Sequence, residues 1–327
     1  MGMSKILGIG NSLVDMMIRI PDETYLTKFN LPKGSMNLVD SKLSSAILSE
    51  TKQYISQKSA GGSAANTVCG LAQLGVKTAF IGKIGKDETG AFFKSDLIAN
   101  GVDEKLFYSR DSESGRVAAL ITPDSERTFA TYLGASVELC AEDLKIDLFQ
   151  GYDICYIEGY LVQNHKLIET ACKLAADAGC EVCIDLASYN VVNENKKFIE
   201  EIIEKYINII FANEEESKSI TGEDPEKALH ILGELVDIAI VKIGKKGSMV
   251  KKGNDIFKAG VRKANAIDTT GAGDLFASGF LYGYINNYPF EKCAELGSIT
   301  SGYVVETLGA KMSGETWTNI KNDIAKI

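Results

Sequence analysis

The sequence predicts an α/β chain with a mostly parallel central sheet and a small β-sheet lid. Three observations carry this. From residue 141 onward, short runs rich in Ile, Val and aromatic residues alternate with segments of helical spacing. That is the rhythm of parallel strands covered on both faces. Between 105 and 135 the rhythm stops, and two strand-like runs flank Pro123-Asp124-Ser125-Glu126 with no helix-length pattern between them. Small-residue turns at 60–66 and 268–274 each lead into a helix. The large α/β part is expected over 1–14, 41–104 and 136–327, and a discontinuous lid over 15–40 and 105–135.

Bulk properties narrow the function. A net charge of −9 argues against a general binder of nucleic acid or anionic membranes. No apolar run approaches membrane-spanning length, and the start lacks a signal-peptide layout. Seven cysteines, an odd number set in apolar segments, read as reduced thiols of a cytoplasmic protein. Cys180 and Cys183 form a lone CxxC without a second pair, which is poor support for a metal site. His165 and His230 both fall in expected helices.

Taken in order, Met1–Ile9 reads as a first strand. Gly8 and Gly10 are followed by Leu13 and not by a third glycine, so the dinucleotide fingerprint is missing. Asn11 and Asp15 can offer hydrogen bonds to sugar hydroxyls, or form an Asx-turn and a solvated acid. Met16–Ile20 returns to strand character, and a helix is expected near 40–50. Gly61-Gly62 feeds a helix start with Asn66 one turn on, where Ser63 is a candidate cap. A strand at Lys77–Ile81 leads through a glycine turn to a helix ending at Asn100. Gly115–Thr122 and Arg127–Leu133 read as strands of a small sheet that, with residues near 15–40, forms a lid, or else as a pair of edge strands on the main sheet.

Further strands are expected at 152–157, 181–186, 207–212 and 238–243, with helices near 164–178, 194–205, 214–220 and 225–235. Glu158, Asp185, Asn213 and Lys242 stand at the carboxyl ends of these strands, where such sheets bind ligands. Asn213 and Glu216 share a helix start. They read either as a cap with dipole-favourable acids or as a place for magnesium held mostly through water. Gly244 and Gly247 open a hairpin. No Gly-x-x-x-x-Gly-Lys-Ser/Thr occurs, so this is not a P-loop protein. Phe257–Ile267 reads as a strand, and Glu291–Glu306 as a helix closed by Thr307–Ala310.

Between those two elements lies Asp268-Thr269-Thr270-Gly271-Ala272-Gly273-Asp274, followed by a buried helix from Leu275. Small residues at a helix start present free N–H groups to an anion, and Asp274 at the edge can take a proton from a hydroxyl. An anion hole beside a base suits phosphoryl transfer to an alcohol. A packing turn with a first-turn acid is the plainer alternative.

This stretch resembles the C-terminal signature of the ribokinase-like family of sugar and nucleoside kinases, the phosphofructokinase-B type. Gly61–Gly90 resembles its N-terminal signature, and the likeness runs from Gly8 to Ala310. Gly10–Asp15, Arg127–Ala135 and Asp185–Ser188 resemble the adenosine kinase branch. Thr270 and Glu158 stand where animal adenosine kinases often have Asn and a small residue, which leans toward bacterial sugar kinases.

The resemblance implies a three-layer α/β/α fold and ATP-dependent transfer of a γ-phosphate to a nucleoside or sugar hydroxyl. Adenosine is the first choice; a free sugar or sugar acid (ribose, fructose or 2-keto-3-deoxygluconate type) and a silent binding regulator are the alternatives. Asp274 would be the base, with the amides of Gly271, Ala272 and Gly273 as the anion hole. Asn11, Asp15, Gly61, Gly62 and Asn66 would hold the acceptor. Leu133, with Leu38, Val117 and Leu161, would wall an apolar base. Asn213, Lys242, Gly244, Gly247 and Thr270 would bind the nucleotide, although many relatives carry a small hydroxyl residue at the place of Lys242. Mg2+ would sit near Glu216, with Glu214 and Glu215 as alternatives. K+ would sit near Asp268 and Thr270. A monomer or homodimer is expected.

Overall fold

The computed structural model describes residues 4–327; Met1–Met3, the start of the expected first strand, lie outside the described residues. In chain order the first elements are β1 (Lys5–Ile9), β2 (Leu13–Arg19), α1 (Thr24–Lys28), β3 (Met36–Leu38), α2 (Ser41–Thr51), β4 (Ile55–Gly61), α3 (Ser63–Gln73), β5 (Lys77–Ile84) and α4 (Glu88–Ala99). Then come β6 (Val102–Tyr108), β7 (Gly115–Ile121), β8 (Arg127–Tyr132), β9 (Ile154–Glu158), α5 (His165–Asp177), β10 (Glu181–Asp185), α6 (Tyr189–Tyr206) and β11 (Ile209–Asn213). The last are α7 (Glu214–Thr221), α8 (Pro225–Leu235), β12 (Ile238–Lys242), β13 (Ser248–Lys252), β14 (Asp255–Ala259), α9 (Ala272–Ile285), α10 (Phe290–Val304) and α11 (Gly314–Ile324).

The main sheet has nine strands in the order β14-β13-β12-β11-β10-β9-β1-β5-β6. All pair in parallel except the β12–β13 and β13–β14 hairpins. Both faces are covered, because side chains alternate across the strands. In β9, Ile154 and Tyr156 join one core with α3, α4, α9 and α10. Cys155 and Ile157 join the other, with α5, α6 and α8. No helix among the described residues is long and apolar enough to cross a membrane.

A second, five-stranded sheet, β3-β8-β7-β2-β4, forms the lid. Its make-up moves the expected boundaries. β2 enters it at Leu13 and pairs with β4, which lies at 55–61. The β4 stretch Ile-Ser-Gln-Lys-Ser-Ala-Gly has too little apolar alternation to read as a strand. β6, expected in part within the lid, instead pairs with β5 as the outer strand of the main sheet.

The strand expected to run to Ile267 stops at Ala259. Beyond it, the amides of Ile267 and Asp268 turn to the Val305 carbonyl at the end of α10 (2.8 and 3.1 Å), which draws the chain off the sheet. α6 begins at Tyr189, ahead of the expected start near 194, because the helix is broken at Asn195 (φ −120°, ψ 16°). α11, not anticipated, packs Trp317, Ile320 and Ile324 against Leu275, Leu296 and Val304.

Candidate active site

The strand order places β1 between β9 and β5, so the chain leaves the centre in opposite directions on its two sides. Open parallel sheets bind ligands at such a switch point, beyond the carboxyl ends of the strands. Asn11 follows β1 here and Glu158 ends β9. The Asn11 Nδ2 donates to Glu158 Oε1 at 2.8 Å, and the Ala64 amide donates to Glu158 Oε2 at 3.1 Å. Glu158 thus ties β1, β9 and the start of α3 together. Burial pushes its carboxyl up to about 7, against the hydrogen bonds that pull it down.

Gly62 precedes α3 at φ +96°, where a side chain would strike the Asn11 carbonyl. A Cβ at Gly61 would run into the Asp15 carboxylate, so Gly61 backs the site without lining it. The carboxyl of Asp15 is itself raised to about 7 by burial, with Lys311 opposing.

Ser63 and Asn66 open α3 and point at the first turn of α9. The Ser63 hydroxyl donates to Asp274 Oδ1 (2.7 Å) and the Asn66 Nδ2 to Asp274 Oδ2 (2.9 Å). Ser63 therefore does not cap its helix, as its position in the sequence suggests. Burial raises the Asp274 carboxyl to about 6, opposed by Asn66 and Ser63. Gly271, at φ +76°, turns the chain into α9 and packs against Ala310. The expected amide trio changes by one member. Ala272 N–H is engaged by the Thr269 carbonyl at 3.1 Å, while Gly271, Gly273 and Asp274 have no backbone acceptor among the described residues. Free amides at a helix start can hold an anion beside the carboxylate.

Farther along the strand ends, Lys242 Nζ donates to Asp185 Oδ2 at 2.9 Å. Burial works to lower the Lys242 ammonium, yet Asp185 and Glu216 hold it above its ordinary value. Asn213 and Glu216 form a reciprocal capping box: Asn213 Oδ1 accepts from the Glu216 amide, and Glu216 Oε2 from the Asn213 amide. Of the three acids, Glu214 and Glu215 are exposed and Glu216 is buried. The Glu216 carboxylate also accepts from Asn213 Nδ2 (2.6 Å) and keeps lone pairs beyond its two bonds to Asn213, so Glu216 fits a hydrated magnesium ion. Gly244 and Gly247 line the same cleft as these groups.

That cleft has a volume of about 1540 Å³ and runs from the lid to Gly244. Asn11, Asp15, Gly62, Asn66, Lys242, Thr270, Asp274, Leu38, Val117, Leu133 and Leu161 all line it. Asp268 does not. Its carboxylate accepts from the amides of Thr270 (2.8 Å) and Gly309 (2.5 Å) and pairs with Arg127 of the lid. Burial would raise its carboxyl, but these donors hold it below the usual range. Three protein donors thus engage this carboxylate, which lies outside the cleft lining. Sequence reading missed Ser63 and Arg127 as parts of this region. Their partners lie 211 and 141 positions away or more, and no local pattern marks them.

Known proteins resemble this chain in sequence and in fold. The family model for the pfkB family carbohydrate kinase matches residues 39–317. A probable sugar kinase from Rhizobium etli superposes with a TM-score of 0.88 at 31% identity, covering 99% of both chains. Adenosine kinase from Sinorhizobium meliloti does so with a TM-score of 0.85 at 31% identity, over 98% of this chain and 100% of its own. A nucleoside kinase of Methanocaldococcus jannaschii is 27% identical over 336 residues, 99% of this chain and 98% of its own. With a three-layer ribokinase-like fold and a family match over residues 39–317, the chain is an ATP-dependent kinase and belongs to the pfkB family of carbohydrate kinases.

Proposed function

We propose that this kinase phosphorylates a hydroxyl of a nucleoside, with adenosine as the first choice. The observation that carries the reading is the mixed character of the acceptor end. Asn11, Asp15 and Asn66 line that end, and the amide nitrogens of Asn11 and Asn66 donate to Glu158 and Asp274, which fixes both side chains. Polar side chains fixed in this way suit the hydroxyls of a ribose. Opposite them the lid offers an apolar face. Leu38 and Met36 are 66% and 58% exposed although they line the cleft, with Val117, Phe129 and Leu133 beside them. A flat apolar base would cover that face. No lysine or arginine of the lid strands lines the cleft among the described residues, which disfavours a sugar acid.

Asp274 takes the proton of the acceptor hydroxyl as its oxygen bonds to the γ-phosphorus and the bond to the leaving diphosphate breaks. Ser63 and Asn66 hold its two oxygens in place. The free amides of Gly271, Gly273 and Asp274 stabilise charge on the transferring group. Magnesium, when bound with the nucleotide, neutralises phosphate charge, and Glu216 would hold it through water. Gly244, Gly247 and Thr270 flank the nucleotide.

A neutral free sugar is the second reading. Glu158, buried beside Asn11, leaves carboxylate lone pairs for additional hydroxyls. A panel of nucleosides, ribose, fructose and 2-keto-3-deoxygluconate, scored by acceptor-dependent ADP release, tests both. Release driven by nucleosides supports the first reading, and release driven by sugars alone overturns it.

A further inference from the structure

We propose that Lys242 is a catalytic residue: its ammonium donates to the phosphoryl group in flight between ATP and the acceptor. The proposal rests on the phosphoryl-transfer reading of the Asp274 site and not on which acceptor is used.

Three placements support it. Lys242 ends β12 directly beside Asn213 of β11, so its stem rises at the strand ends where the cleft lies. Its side chain is 15% exposed and passes over the Phe211 ring, with Nζ 5.9 Å from the ring centre. The tip then arrives at the first turn of α9. A Cβ placed on Gly273 would lie 3.3 Å from Lys242 Nζ, and Nζ is the one atom such a Cβ would meet within 4 Å. The ammonium thus stands beside Gly273, whose amide has no backbone acceptor, and both residues line the cleft.

Charge and valence fit the same role. Asp185, Glu216 and Asp274 all line the cleft around this point. A polyphosphate arriving among three carboxylates needs compensating charge close to the reacting phosphorus. An ammonium has three donors. Asp185 takes one at 2.9 Å, which orients the group and leaves two for phosphoryl oxygens. In the transfer, the acceptor oxygen bonds to the γ-phosphorus, its proton passes to Asp274, and the leaving oxygen keeps the electron pair of the broken bond to ADP. Charge on the equatorial and leaving oxygens then faces Lys242. Asp185 is a positioning residue in this arrangement.

The plain alternative is a structural ion pair, and the two make opposite predictions for its removal. Asp185→Asn/Lys242→Met deletes both charges together, so neither is left buried alone. Turnover would be measured on the full chain with the best acceptor of the panel, and folding by thermal melting. Losing one preorganised donor at a developing charge typically costs ~10²–10³-fold in kcat. We expect that loss in Lys242→Met and again in the double variant, with acceptor KM within about threefold of wild type, as for an interaction made only in the transition state. If Lys242→Met fails to fold, the double variant decides. A folded double variant with kcat within about threefold of wild type overturns the proposal, because a structural pair is dispensable once both members are gone. Asp274→Asn, run alongside, separates the levels. If it turns over at full rate, the site reading falls and this proposal with it. If Asp274→Asn is slow while the double variant is fast, this proposal alone falls.

Discussion

Asp274 sets the pH dependence of the chemistry. Only its carboxylate form can accept the proton, and burial raises its pKa to about 6. Rate is therefore expected to fall as pH drops through about 6, about tenfold per unit below it, and to level off above. A kcat profile against pH checks this; a flat acidic limb would remove Asp274 from the role. Asp274→Asn keeps the shape and both neighbours but loses the acceptor, and kcat should drop by ~10²–10⁴-fold with nucleotide affinity little changed. The importance of Asp274 is legible in the sequence, because two acids bracket a turn of small residues. What holds it is not: the Ser63 hydroxyl comes from 211 positions upstream. Likewise Glu158 reads as an acid at a strand end, and only the fold shows it binding Asn11 and the Ala64 amide.

At the scale of elements, the first turn of α9 offers two glycines with different sensitivities. Gly273 has ordinary helical backbone, and a Cβ there would meet only the Lys242 ammonium, at 3.3 Å. Gly273→Val is expected to fold, by circular dichroism, and to lose turnover because the amides are screened from the phosphate. Gly271 is left-handed and lies against Ala310, so Gly271→Val should instead lower the melting temperature. In the lid, Leu133→Asp places an unpartnered charge against the proposed base site, and the nucleoside KM should rise strongly with the melting temperature near wild type. The parallel strands were legible because each is a short apolar run between helical segments. β4 was not, because its order comes from pairing with β2 rather than from its own apolar pattern. Most of the 257–267 stretch leaves the sheet as well, since the amides of Arg262, Asn265 and Ile267 donate to Ser298, Glu306 and Val305 rather than to a strand.

For the molecule as a whole, buried carboxyls couple stability to pH. Glu158 and Glu216 are 1% and 3% exposed, and burial raises both to about 7. In the unfolded chain they titrate near 4.5. Between those values the folded state binds more protons than the unfolded one, so stability falls as pH rises through that window. The ligand-free protein should melt higher at pH 5.5 than at pH 8, by roughly 1–2 °C for each kcal/mol of difference at this chain length. A melting temperature that rises with pH would show that these carboxyls do not dominate. Layering and parallel pairing could be read from the alternation of elements, whereas strand order could not, because it depends on which distant partner each strand finds. That order has a consequence for synthesis. β1, the first strand made, pairs on one side with β5 and on the other with β9, and Lys5 donates to Asp153, 148 residues later. At ~5–20 residues per second the ribosome needs about 8–30 s to make that partner. For that interval the nascent chain carries an apolar strand with an open edge, the kind of segment a holding chaperone would shelter until β9 emerges.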